Sequence, residues 1–173
     1  MIKQISISIF MLIGLFNLSY AFSESDATNE ISNKKFNIEW NVPYTLLGIA
    51  SANANYKLNN ASAIGAYGGV STWNSNKSAY NIGLQYSYAL NKNYMSSGWL
   101  LKPFIGYMNL KDSDNNVSNG YNVGLMFTYQ WMWKSGLNMQ LGVGPSYASI
   151  NGGVFANAHG LLPAFEYNIG LSF

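Results

Sequence analysis

From Phe36 onward the chain is dominated by alternation of apolar and polar residues. Phe36, Ile38, Trp40 and Val42 alternate with Asn37, Glu39 and Asn41, and Ala50, Ala52, Ala54, Tyr56 and Leu58 alternate with Ser51, Asn53, Asn55 and Lys57. The pattern returns with Tyr80, Ile82, Leu84, Tyr86, Tyr88 and Leu90 against Asn81, Gly83, Gln85, Ser87 and Ala89. Tyr121, Val123, Leu125, Phe127, Tyr129, Trp131 and Trp133 are set against Asn122, Gly124, Met126, Thr128, Gln130 and Met132. Leu137, Met139, Leu141, Val143 and Tyr147 then oppose Asn138, Gln140, Gly142, Gly144 and Ser146. A period of two places alternate side chains on opposite faces of a strand. Each segment therefore has one apolar face and one polar or small face. Ile64–Thr72 reads as a Gly-rich strand. Trp99–Leu110 reads as a strand of ambiguous phase, because Leu100, Leu101, Phe104 and Ile105 fall on both faces. The segment 163–173 closes the series, with Phe165, Tyr167, Ile169, Leu171 and Phe173 on the apolar face and Ala164, Glu166, Asn168, Gly170 and Ser172 between them.

Eight strands of about ten residues match the length needed to cross a bilayer at a tilt of ~45°. Leu58–Ser62 and Trp133–Gly136 predict tight turns. Thr72–Ala79, Leu110–Asn119 and Ser149–Gly160 predict longer loops rich in Asn, Ser, Asp and Gly. Leu90–Gly98 is long for its place in this series, and the break at Pro43–Leu46 is very short.

The N-terminus departs from the pattern. Met1–Gln4 is a short basic stretch, Ile5–Phe16 is apolar but for two Ser and one Gly, and Ser19-Tyr-Ala21 offers the small residues of a signal-peptidase site. Residues 1–21 are therefore expected to be a cleaved signal peptide, followed by a polar periplasmic leader (22–35) and a barrel (36–173). The apolar core is well short of the ~20 residues of a spanning helix. With no Cys, neither lipoprotein acylation nor disulfides nor thiolate metal sites are available.

Composition narrows the class further. Only 9% of the residues are charged, against ~25% in an ordinary soluble domain, so a charged exterior is not available. Nor does any stretch after residue 21 approach the length of an apolar helical span. What remains is a closed barrel, the other arrangement that satisfies every backbone group in lipid. The expected fold is thus all-β: an eight-stranded antiparallel up-and-down transmembrane β-barrel. A lipocalin-like soluble barrel, apolar inside and charged outside, fits the shortage of charge poorly. Loss of Lys3 with the signal lowers the formal net charge from +2 to about +1, eight Lys against seven acids, which argues against nucleic acid as a partner. All basic residues are Lys, so no arginine fork is present. Tyr or Trp stands near the ends of the apolar faces (Trp40, Tyr56, Tyr80, Tyr88, Trp99, Tyr147 and the Tyr129/Trp131/Trp133 run), where amphipathic rings meet headgroups.

The closing segment, ending on Phe173, resembles the C-terminal signal of bacterial outer-membrane barrels, which implies Phe165, Tyr167, Ile169, Leu171 and Phe173 as an assembly signal. Further similarity lies in Asn41-Val-Pro43, in Asn81-Ile-Gly83-Leu-Gln-Tyr86-Ser-Tyr88, in the segment 98–107 and in Gly160-Leu-Leu-Pro163-Ala-Phe-Glu166. Together these resemble the OmpA/OmpX-like group of small barrels, within it a subgroup of uncharacterised domains. The resemblance implies Phe173 at the periplasmic end, residence in the bacterial outer membrane, and outer-membrane lipids, lipopolysaccharide and the barrel-assembly machinery as partners of a monomer. It brings no catalytic residues.

Eight strands leave an interior just wide enough for side chains to fill. Glu39, Lys57, Gln85, Gln130, Gln140 and Glu166 fall on the inward face, with Lys102 able to join them. Paired buried charges fix register as an ion-pair plug, or act as a proton-sensitive gate, and both readings stand at this point. His159 is placed in the last outer loop with no His-x-Ser pair and no acid beside it, so no catalytic residue is assigned. Asp112-Ser-Asp114-Asn-Asn116 has the opening of a calcium loop but lacks its sixth-position Gly and closing Glu, and turn chemistry accounts for it. No cofactor or metal is expected. The preferred function is a structural or surface-interaction barrel with a filled lumen, the alternatives being a narrow diffusion channel and a lipid-modifying enzyme.

Overall fold

A computed structural model describes residues 33–46, 48–74, 77–112, 114, 116–153 and 158–173. The predicted signal peptide and all but the last three residues of the leader lie outside them. The eight strands are β1 (Phe36–Asn41), β2 (Ile49–Lys57), β3 (Ser62–Asn74), β4 (Lys77–Ala89), β5 (Gly98–Lys111), β6 (Val117–Met132), β7 (Leu137–Asn151) and β8 (Ala158–Ser172). They pair antiparallel with their sequence neighbours, and β8 pairs with β1 to close the barrel. A helical turn, α1 (Val42–Leu46), follows β1, with Pro43 in its first turn, where a missing N–H costs nothing.

Directly opposed residues run from Trp40 through Ala52, Gly68, Ile82, Tyr107, Tyr121 and Ser149 to His159. Continued across the β8–β1 register, the row returns ten residues beyond its start along the β1 direction. With a rise of ~3.3 Å and a strand spacing of ~4.8 Å, that stagger gives a tilt of about 40°. The outward phase holds in every strand: Ile38, Tyr56, Ile64, Ile82, Ile105, Val123, Leu125, Leu141 and Phe165 are all exposed. In β5 the two-faced pattern resolves with Leu100, Lys102 and Gly106 buried inside and Trp99, Pro103, Ile105 and Tyr107 exposed outside.

The outer aromatic residues form two belts. Three neighbouring strands carry pairs eight residues apart: Tyr80 and Tyr88, Trp99 and Tyr107, Tyr121 and Tyr129. At this tilt the spacing corresponds to about 20 Å along the axis, close to the apolar band of a transmembrane barrel. Trp99 stacks on Phe127 with centroids 4.5 Å apart, and Tyr129 packs edge-on against both Trp99 and Trp131.

With the end that carries Phe36 and Phe173 drawn at the bottom, several strands run past the upper belt of Tyr80, Tyr107 and Tyr121, and this corrects the predicted loops. β3 and β4 join at the Asn74↔Lys77 pair, so Thr72–Ala79 is mostly strand. β5 and β6 extend to Lys111 and Val117, and β7 and β8 to Asn151 and Ala158. His159 is therefore in β8, opposite Ser149 on the outward face, and not in a loop. The longest connection lies at the opposite end, between β4 and β5 (90–97), so the pattern of long outer and short inner connections does not hold.

Candidate functional site: the lumen network and its plug

The polar faces of the strands meet inside the barrel. Lys102 Nζ bonds both carboxylate oxygens of Glu166, at 3.0 and 2.9 Å, and Gln140 Oε1 at 2.8 Å. Glu166 also accepts from the Thr128 hydroxyl and, at 3.2 Å, from Asn168 Nδ2. Gln140 Nε2 donates to Glu39 Oε1 and to Gln130 Oε1. Asn37 and Asn53 give their amide N–H groups to the two oxygens of Glu39, at 2.6 and 3.3 Å. Two carboxylates from the closing pair of strands are thus tied through one lysine and one glutamine to the opposite wall. Lys102 and Glu39 are each 1% exposed, and Gln130 and Gln140 are fully buried. Charges at this depth persist only where donors and acceptors are matched, as they are here.

Of the seven residues predicted for a lumen network, Glu39, Lys102, Gln130, Gln140 and Glu166 form this connected group. Gln85 faces inward but bonds Asn55 Oδ1 at 2.7 Å as a separate pair. That pair closes over Gly65, where an added Cβ would come within 2.1 Å of Asn55 Oδ1. Lys57 also faces inward, at the lower end of β2 beside Lys35. Lys102 is the cation that bonds Glu166 and acts on Glu39.

Below the network the lumen is stopped by the β4–β5 connection. Tyr94 and Met95 fold back into the barrel mouth at 0% and 2% exposure and pack with Ala63, Ala89, Leu100 and Met132. The Tyr94 N–H donates to Asn60 O at 2.7 Å, and Gln130 Nε2 reaches the carbonyls of Tyr94 and Ser96. Gln130 therefore joins plug to network. The Tyr94 hydroxyl lies against Asn37 but meets no partner in hydrogen-bonding geometry among the described residues. Burial pushes this phenol well above its usual range, reinforced by the charges of Glu39 and Glu166. Asn138 Nδ2 completes this level with bonds to Asn37 Oδ1 and Ser172 Oγ.

Above the network the interior changes character. Tyr67 and Phe104 pack edge to face at 6.2 Å, their rings lying over glycines. A Cβ on Gly83 or Gly106 would strike Tyr67, and one on Gly124 would strike Phe104. Here β8 has a sheet partner on one side only. Its pairing with β1 stops at Asn41↔Asn168, and α1 packs where β1 would have continued.

The plug and the asparagines at positions 37, 53, 138 and 168 were not singled out from the sequence. The asparagines recur at inward positions of the alternation, and the length of the 90–97 connection was itself a signal. At the far end, Asp112 Oδ1 accepts the N–H groups of Asp114 and Asn116 at 2.9 Å, and its other oxygen accepts Asn116 Nδ2, which is turn chemistry. Phe165, Leu171 and Phe173 are exposed on the outward face of β8, and Phe173 stacks on Phe36 at 5.9 Å. No family model, no curated protein and no solved structure matches this chain.

Proposed function

We propose that the protein is an integral barrel of the bacterial outer membrane, with a structural or surface-interaction role and a lumen closed by its own side chains. The observation that carries this reading is the combination of faces. An apolar exterior bounded by two aromatic belts suits lipid, and a polar interior tied together by the Glu39–Gln140–Lys102–Glu166 network suits a barrel that conducts nothing. The OmpA/OmpX-like resemblance supports the same assignment, with Phe173 at the periplasmic end. Lipids and lipopolysaccharide would contact the belts, and the assembly machinery would read the outward residues of β8. Cell fractionation with gel mobility before and after heating tests this reading. The parent should be in the outer-membrane fraction with heat-modifiable mobility, whereas Phe173→Asp should be exported and stay unfolded in the periplasm. Normal outer-membrane levels of Phe173→Asp would contradict the assembly role, and a parent recovered as a soluble periplasmic protein would contradict the membrane reading.

A further inference from the structure

The two rims of the barrel differ in charge. Lys34, Lys35, Lys57, Lys92 and Lys134 all stand at the end that carries Phe36 and Phe173, in the entry to β1, the end of β2 and the two connections 90–97 and 133–136. No Asp or Glu lies at that rim among the described residues. The four described acids are Glu39 and Glu166 in the lumen and Asp112 and Asp114 at the opposite rim, where Lys111 stands beside them. Lys34, Lys35, Lys92 and Lys134 thus stand at an end that carries no described Asp or Glu, whereas Asp112 and Asp114 stand at the other.

The lower rim is also built to present its cations. Lys34 Nζ is held by the carbonyls of Ser135 and Ser172 at 3.1 and 3.0 Å, which keeps its charge at the edge of the barrel. Lys57 donates its backbone N–H to Lys35 O at 2.8 Å, which ties the entry of β1 to the end of β2. Lys92 adopts φ 61°, the one positive φ at a non-glycine among the described residues, where Gly or Asn would be less strained. Lys35, Lys92 and Lys134 are exposed. Immediately inside this ring lie Trp99, Tyr129 and Trp131, the aromatic residues that mark headgroup level. Lysines just beyond such a belt reach lipid phosphates.

We infer that this basic rim recruits anionic phospholipid headgroups from the leaflet it faces, so that the barrel is surrounded at that end by an annulus enriched in negatively charged lipid. The inference rests on the membrane reading above and adds to it a lipid preference at one rim. Attraction of this kind is electrostatic and short-ranged, so it weakens with salt and with each lysine removed.

Tryptophan quenching tests it on the full chain refolded into vesicles of phosphatidylcholine and phosphatidylglycerol in equal parts. Either lipid is brominated on its acyl chains in turn. The parent should be quenched more strongly by the brominated anionic lipid, with a relative association constant of about threefold or more. That preference should vanish in the triple variant Lys35→Gln/Lys92→Gln/Lys134→Gln, once heat-modifiable mobility has shown it folded, and should survive Lys111→Gln at the other rim. Equal quenching of the parent by the two lipids, or an undiminished preference in the folded triple variant, would overturn the inference and leave the membrane reading intact. Absence of quenching by either lipid would overturn both.

Discussion

The lower and upper halves of the lumen solve the same packing problem in opposite ways. The lower half is filled by polar groups from four strands and a loop: Glu39, Lys102, Gln140 and Glu166 lock the walls together, and Tyr94 stops the mouth. Each member there depends on another for its hydrogen bonds. The upper half is filled by two aromatic rings laid over glycines, and its wall loses the β1–β8 ladder above Asn41. One half is held by matched charge and amide geometry, the other by shape. They should therefore fail differently when single residues change.

The largest effect is expected at Lys102. Lys102→Met keeps the apolar stem but leaves Glu39 and Glu166 without their shared cation. Breaking a buried pair in this way should cost about 3–5 kcal/mol in a denaturant titration of the refolded barrel. A cost below that of an ordinary surface change would mean that the network does not hold the lower half. In the upper half, Gly83→Ala forces a Cβ to within 2.3 Å of Tyr67 Cζ and 2.4 Å of Ile105 O. A backbone carbonyl cannot swing aside as a side chain can, so overpacking of about 1–3 kcal/mol is expected. If Gly83→Ala proved as damaging as Lys102→Met, the contrast between the halves would fall.

The smallest effect is expected from pH. Tyr94 is neutral in its buried site, with a folded pKa raised above its unfolded value of ~10. Its contribution is therefore complete below about pH 10 and is lost as pH rises beyond that value, because only the unfolded chain ionises it there. The parent should lose stability between neutral and strongly alkaline pH faster than Tyr94→Phe. Parallel curves for the two would place the Tyr94 hydroxyl in water.

How much of this was legible in the sequence follows from where alternation is strong. Between the belts each outward position is apolar, so strand number, order and phase could be read directly, as in Tyr121–Trp133. The inward polar residues, Glu39 and Gln140 among them, followed from that phase. Above the upper belt the outward residues turn polar (Asn109, Asn119, Ser149, Asn151), and a strand polar on both faces looks like a loop. This is why β5 to β8 proved longer than expected and why His159 changed place. In β5, Leu100 faces the plug and Leu101 faces outward, so no single apolar face existed to find. Tyr94 was hidden for a different reason. A loop residue shows its burial only when the barrel supplies a mouth for it, and that depends on register between distant strands. The inward phase of Lys57 followed from the same alternation, but its place at the end of β2, beside Lys35, depends on strand length.

A membrane barrel whose lumen is sealed from below should be silent in single-channel recording of the refolded protein in a planar bilayer, run alongside Tyr94→Ala. With Tyr94 and Met95 packed into the mouth and the Lys102–Glu166 network above them, the parent should give no steady currents. Tyr94→Ala, which removes the ring that stops the mouth, should give small, flickering ones. Large, steady currents from the unmodified protein would contradict the account and make it a diffusion channel.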